Sequence, residues 1–263
     1  MKRLIILTIA LSFSVTAAAF GKIFSDTVKF AGGVHMGIDI GAGVPWPPGK
    51  TIGGENKMSA TPHLMPALGF SYTAIFNKRW SITLETTYKT ISLDAKAWVE
   101  NQTFIDREND PWVWVSFRGT AFMEMFFPML EIPLFMRYTF ESGNNRVFFG
   151  GYYARVFNAR FVTTPYKGML FNVIDGKPDY DNPKGSVSPD SPYTQNFNDA
   201  MDKWDAGFLA GYERQIFPRV ILSGRFSMGF KDIFHPDKKY LSYNMLHMRG
   251  TLTISYLFMR RGQ

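Results

Sequence analysis

Four histidines and a scatter of carboxylates are the groups in this chain with the types needed for acid–base chemistry. His35 and Asp39 share parity four residues apart in an extended segment, which separates them by roughly 13 Å at strand rise and rules out a direct hydrogen bond. His247 and Ser255 also share parity, but they stand farther apart along their strand. His63 and His235 fall in turn-rich segments with no nucleophile beside them. A hydrolase or acyltransferase needs nucleophile, base and orienting acid in mutual reach. These spacings therefore point to four unrelated histidines and to no catalytic residue. The acidic stretch DGKPDYDNPKG, Asp175 to Gly185, is followed by Asp190, Asp199 and Asp202. It lacks the Asp-x-Asp-x-Asp-Gly order and distal Glu of a calcium loop, so it reads as a solvated polar loop with no metal. Gly37, Gly41 and Gly43 make no dinucleotide fingerprint, because no helix follows them; no cofactor is expected.

The charges carry more information through their parity than through their spacing. In LEIPLFMRYTF, Leu130, Ile132, Leu134, Met136, Tyr138 and Phe140 alternate with Glu131, Pro133, Phe135, Arg137 and Thr139. Successive strand side chains point to opposite faces, so one face is greasy and the other carries a carboxylate and a guanidinium. The same division recurs along the chain. Its polar parity collects Asp39, Glu85, Glu131, Asp205 and Glu213 with Lys89, Arg137, Arg155, Arg225 and Arg249, and with Lys231 near one end. So many ions cannot sit in a soluble core unless paired.

Composition and the start of the chain limit where such strands reside. Aromatics make up 16% and charged residues 19% of 263 residues, too apolar for a disordered chain. The mean hydropathy of −0.11 excludes a bundle of membrane helices. Lys2-Arg3, the apolar LIILTIALSFSV and Ala17-Ala18-Ala19 have the form of a secretory signal peptide, cleaved after Ala19. That leaves residues 20–263 as one domain. Removing two basic residues leaves a net charge of +7 − 2 = +5. No basic run interleaved with aromatics suggests nucleic acid. The chain has no Cys, which excludes both disulfides and a lipoprotein anchor.

Eight strands position the alternating charges. The first runs over Val34–Val44 and the second over Pro66–Phe76. The third starts at Trp80 and runs on toward Trp98, the fourth is Leu130–Phe140, and the fifth lies within Val147–Phe161. Trp204–Ile216, Val220–Lys231 and Leu246–Phe258 complete the set. The fifth alternates poorly; with Arg155 set inward, Phe148, Tyr152 and Val156 face outward. Met123–Pro128, with Trp112 and Trp114, reads as an extension of the hairpin into the fourth strand, and 162–203 as a long loop. Turns after even-numbered strands are tight, at Asn77-Lys78-Arg79, Glu141–Arg146 and Phe217-Pro218-Arg219, whereas odd-numbered strands end in long connections. Outer-membrane barrels sort their loops in this way. Aromatics also gather in two belts: Phe76, Trp80, Tyr138, Phe140, Tyr256 and Phe258 by the short turns, and Trp98, Phe126, Phe127, Trp204 and Phe230 by the long loops. The fold class is therefore all-β: an eight-stranded antiparallel up-and-down transmembrane β-barrel with oily side chains outside. Its lumen is only wide enough for side chains, with Arg forks bridging carboxylates on neighbouring strands.

LEIPLFMRYTF, the Gly207-Phe208-x-x-Gly211-Tyr212-Glu213 stretch and the closing TISYLF resemble the PorT-like outer-membrane β-barrel domain family of Gram-negative bacteria. The resemblance implies an integral outer-membrane protein and a part in a protein-secretion or gliding apparatus. Its expected partners are outer-membrane lipids, the barrel assembly machinery and an envelope or secretion-complex protein. The alternatives are a small-solute channel and, third, a barrel-embedded hydrolase or acyltransferase.

Overall fold

Every long segment that alternates in the sequence pairs with a neighbour, and the pairing closes on itself. A computed structural model describes residues 28–46, 59–106, 113–187, 195–236 and 244–261. The signal peptide, Trp112 and Asp190 lie outside the described residues. Twelve strands are present: β1 Lys29–Trp46, β2 Ser59–Pro62, β3 Leu64–Ile75, β4 Trp80–Asp106, β5 Val113–Thr139, β6 Asn145–Val156, β7 Arg160–Ile174, β8 Lys177–Val187, β9 Gln195–Asn196, β10 Trp204–Phe217, β11 Val220–Asp232 and β12 Asn244–Arg261. Eight of them, in the order β1-β3-β4-β5-β6-β10-β11-β12, form an antiparallel ring closed by β1 on β12. Among the described residues no helix is long and apolar enough to cross a membrane.

The short turns are built from local chemistry. Asn77 Oδ1 accepts from the amides of Arg79 and Trp80, both at 2.8 Å, which folds the chain between β3 and β4. Gly143, at φ 74°, completes the turn between β5 and β6. Around the ring Leu134, Met36, Phe70, Phe149, Phe226 and Ile254 are exposed, and Glu85, Arg137 and Glu213 are buried. The oily parity therefore faces lipid. At the short-turn end Trp80, Tyr138 and Phe140 pack edge to face, with centroids 4.9 and 5.5 Å apart, as expected of an interfacial belt.

The wall is longer on one side. β4 and β5 are 27 residues each, whereas a tilted strand needs only about 9–11 to cross the hydrocarbon. Their far halves carry a second sheet, in the order β2-β4-β5-β7-β8, beyond the membrane. The segment read as a long loop from 162 to 203 supplies β7, β8 and β9 to that sheet. β7 and β8 turn at Asp175-Gly176, both at positive φ, so the stretch read as a polar loop is a hairpin. Trp98 stands on β4 ten residues past Tyr88, beyond the belt assigned to it, and Phe127 is buried inside.

One strand was read in the wrong register. Arg155 is exposed on the outer wall, and Phe148, Tyr152 and Val156 are buried inside. The register of β6 on β5 is unbroken from Val156 to Arg146 and sets Arg155 opposite outward Leu130; a one-residue slip follows it, since Met129 opposes Val156 whereas Phe126 opposes Arg160. Asn158, at φ 47°, absorbs the extra residue, so a single parity cannot hold across Val147–Phe161. The inward rings have room because β10 offers no side chain opposite them. A Cβ on Gly207 would lie 2.7 Å from Tyr152 Cε1, and one on Gly211 would strike Phe148 Cζ.

Gly37 is the other close approach. A Cβ there would run into the carbonyl oxygen of Leu252 and lie 2.7 Å from the Thr253 Cα. Because both obstacles are backbone, Gly37→Ala should force β1 from β12 and destabilise the barrel by about 1–3 kcal/mol. A urea midpoint in vesicles unchanged from wild type would contradict this.

Candidate functional site

The interior of the ring is the candidate site, and its lower part is ionic. Glu131 on β5 forms ion pairs with Lys89 Nζ of β4 at 2.9 Å and Arg249 Nη2 of β12 at 2.7 Å, with Arg225 Nη1 of β11 at 3.9 Å. Lys89 also lies 3.6 Å from Asp39 of β1, which accepts the Thr251 hydroxyl at 2.5 Å. Arg225 reaches Glu85 of β4 at 2.5 Å. Nearer the short turns, Arg137 grips Glu213 of β10 with two nitrogens, at 2.7 and 2.8 Å, and reaches Thr73 of β3 at 3.4 Å. One hydrogen bond, from Nη2 to Oε1, and a close Nε–Oε2 ion pair hold the two groups together. β6 adds Tyr152, whose hydroxyl donates to Asp205 at 2.7 Å beneath the Arg249 guanidinium, 4.4 Å from the ring centroid. All eight ring strands take part.

Lys89–Glu131 joins the adjacent strands β4 and β5, but the closest arginine–carboxylate pairs do not keep to neighbours as the sequence suggested. Counting around the ring, β5 and β12 are four places apart, and so are β4 and β11. Glu131–Arg249 and Glu85–Arg225 therefore cross the barrel axis. Phe135 fills the space between, with Arg137 and Arg225 at 5.4 and 5.2 Å from its centroid and the tilted ring of Phe148 at 4.7 Å.

Toward the long-loop end the inner wall changes character. Ile91 and Leu93 of β4, and Met123, Met125, Phe127 and Met129 of β5, take up the inward parity and are fully buried. Phe161, Met201, Ile233, Phe234 and Met245 close over them. Phe234 meets Phe161 edge to face at 5.5 Å, and its backbone forms an isolated antiparallel bridge with Met201. Two segments that the sequence offered only as loop are thus drawn across the mouth. Lys231 holds them by an ion pair to Asp202 at 2.5 Å while lying 3.5 Å over the Trp204 ring. Sequence parity had assigned ions to the whole lumen; the unbroken inward set from Ile91 to Val99 was the available signal for this apolar stopper.

The residues singled out for chemistry are dispersed. His35 Nε2 pairs with Thr87 Oγ1 at 2.9 Å, and His247 lies edge-on to Phe127 at 5.1 Å. His63 is on the surface against Asp94 at 3.2 Å, and the His235 amide donates to the Ala200 carbonyl. Of the loop acids, Asp199 sits in a short 3-10 turn, Asp202 is taken by Lys231, and Asp179 accepts from Asn182. Among the described residues no group of three His, Asp or Glu side chains is placed to hold a metal.

Residues 23–235 match the family described as outer membrane protein beta-barrel domain. Solved structures that resemble the chain include Ail of Yersinia pestis, at 8% identity and TM-score 0.37, covering 88% of this chain and 99% of that one. Neisserial surface protein A gives 9%, 0.36, 87% and 97%, and OprG of Pseudomonas aeruginosa 12%, 0.33, 88% and 95%. No curated protein matches the sequence. With a family match over most of its length and a closed ring of lipid-facing strands, this chain belongs to the outer membrane protein beta-barrel domain family and is a protein of the cell outer membrane.

Proposed function

We propose that this protein is a non-conducting, non-enzymatic barrel that anchors its projecting sheet at the cell surface for interaction with an envelope partner. The observation that carries the reading is the double closure of the lumen. An ion entering from the periplasmic side meets Arg137–Glu213, then the two ion pairs crossing the axis, then a dry wall of Met, Phe and Ile. Passing the first barrier means breaking buried pairs, each break costing on the order of 3–5 kcal/mol. The second offers no polar partner at all. The separation of His35 from His247, each with its own neighbours, supports the absence of catalysis. The resemblance of LEIPLFMRYTF and GFLAGYE to PorT-like proteins supports a narrower form, an accessory component of a secretion or gliding assembly that docks on the sheet β2-β4-β5-β7-β8.

Planar-bilayer recording on the purified protein tests this. The expected result is silence at all voltages the membrane withstands. Discrete, reproducible conductance steps would overturn the closed-lumen reading in favour of a small-solute channel.

A further inference from the structure

The lipid-facing wall is almost free of charge, and its exceptions are cations. On the outward parity of the ring strands, Arg214 lies beside the short turn after β10, and Arg155 lies at the opposite end of β6. Acidic residues on that parity appear only farther out, at Asp94 and Glu124 in the projecting sheet. Arg155 opposes Leu130 on one side and Trp204 on the other. It emerges over the exposed rings of Tyr153 and Trp204, stacked 6.3 Å apart, with Phe157 next to it. Lys203 is bound into the same spot through its backbone, its carbonyl accepting the Val156 amide at 2.9 Å. Both side chains are exposed, and neither forms an ion pair among the described residues. Arg160, five residues on, is exposed and only loosely engaged by Glu124 at 3.4 Å.

A guanidinium at the hydrocarbon edge that no carboxylate of the protein takes up is free to pair with an anionic headgroup there. The rings mark this level as the interface, and the long connections mark it as the outer leaflet. We propose that Arg155 and Lys203, flanked by Arg160, bind a phosphate of the phosphorylated glycolipid that forms the outer leaflet. The Arg155 fork takes two phosphate oxygens, Lys203 adds a point charge, and Tyr153 and Trp204 bear on the sugar and acyl root. The site is independent of whether the lumen conducts.

The test uses full-length protein in phosphatidylcholine nanodiscs doped with bisphosphorylated lipid A, dephosphorylated lipid A or phosphatidylglycerol, with bound lipid measured by native mass spectrometry. Wild type should retain bisphosphorylated lipid A about tenfold better than the Arg155→Gln, Lys203→Gln double variant, a difference of about 1.4 kcal/mol. Wild type and variant should retain the dephosphorylated form equally. Both residues point away from the core, so heat-modifiable gel mobility should be unchanged. If the double variant refolds poorly, Arg155→Gln alone decides, with a smaller loss in the same direction. Equal retention by wild type and variant would overturn the proposal. So would retention of phosphatidylglycerol equal to that of lipid A, which would mean a general anion-attracting edge with no glycolipid site.

Discussion

Glu131→Ala should cost the barrel about 3–5 kcal/mol, because it strips a buried network of the carboxylate shared by three cations. Lys89 would keep Asp39 and Arg225 would keep Glu85, but Arg249 would retain no carboxylate. Its remaining neighbours are the Tyr152 ring and the Met129 sulfur at 2.9 Å, and its side chain is 0% exposed. A guanidinium in that position cannot shed its charge, so the cost falls on folding. Glu131→Gln keeps an acceptor oxygen and should recover part of the loss. Within the same chain Arg79–Glu141, at 2.8 Å with side chains 56% and 85% exposed, serves as the control. Glu141→Ala should leave stability unchanged within error, since water screens such pairs. Urea titration in vesicles, followed by the gel-mobility shift of the folded form, reads all three. A Glu131→Ala transition within error of that of Glu141→Ala would show that the ions crossing the axis do not hold the wall together.

Leu252→Arg should cost about 2–4 kcal/mol, the penalty for a guanidinium at the bilayer midplane. Leu252 is 48% exposed on β12, midway between Leu246 and Phe258 on the lipid-facing parity, and opposes Ile38 and Gly224. Its long side chain has no interface within easy reach. Ser223→Arg places the same group on the inward parity of β11, directly opposite Glu213 and three residues from the turn at Val220. That arginine can run toward periplasmic water along a carboxylate, so its penalty should be smaller. Equal losses from the two substitutions in vesicle unfolding would mean that the assignment of faces is wrong.

The facing of side chains was legible in the sequence because a strand's period is two and one side is oily. Leu134, Ile254, Arg137 and Glu85 all lie where parity put them. The same rule failed at Arg155, where charge alone suggested an inward residue and where glycines on the opposing β10 admit rings that ordinarily face lipid. Parity also carries no azimuth. It sends Glu131 and Arg249 inward without saying that ring closure will set them face to face, so the sequence suggested neighbouring-strand pairs. The stopper was hidden for a related reason. Met201 and Phe234 come from segments whose Pro, Asp and Asn content marks them as connections, and only the extension of β4 and β5 gives them a surface to cover.

The pairs across the axis also bear on how the wall is put together. Glu131 and Arg249 are 118 positions apart in the chain, and Glu85 and Arg225 are 140. While the earlier hairpins insert, Glu85 waits without its arginine and Glu131 has only Lys89 of the adjacent strand; both are fully neutralised only when the last hairpin brings Arg225 and Arg249. An incomplete sheet is therefore penalised until β12 docks on β1, after which many contacts are satisfied together. The ionic interior in this way makes seam closure the step at which the buried charges are satisfied together.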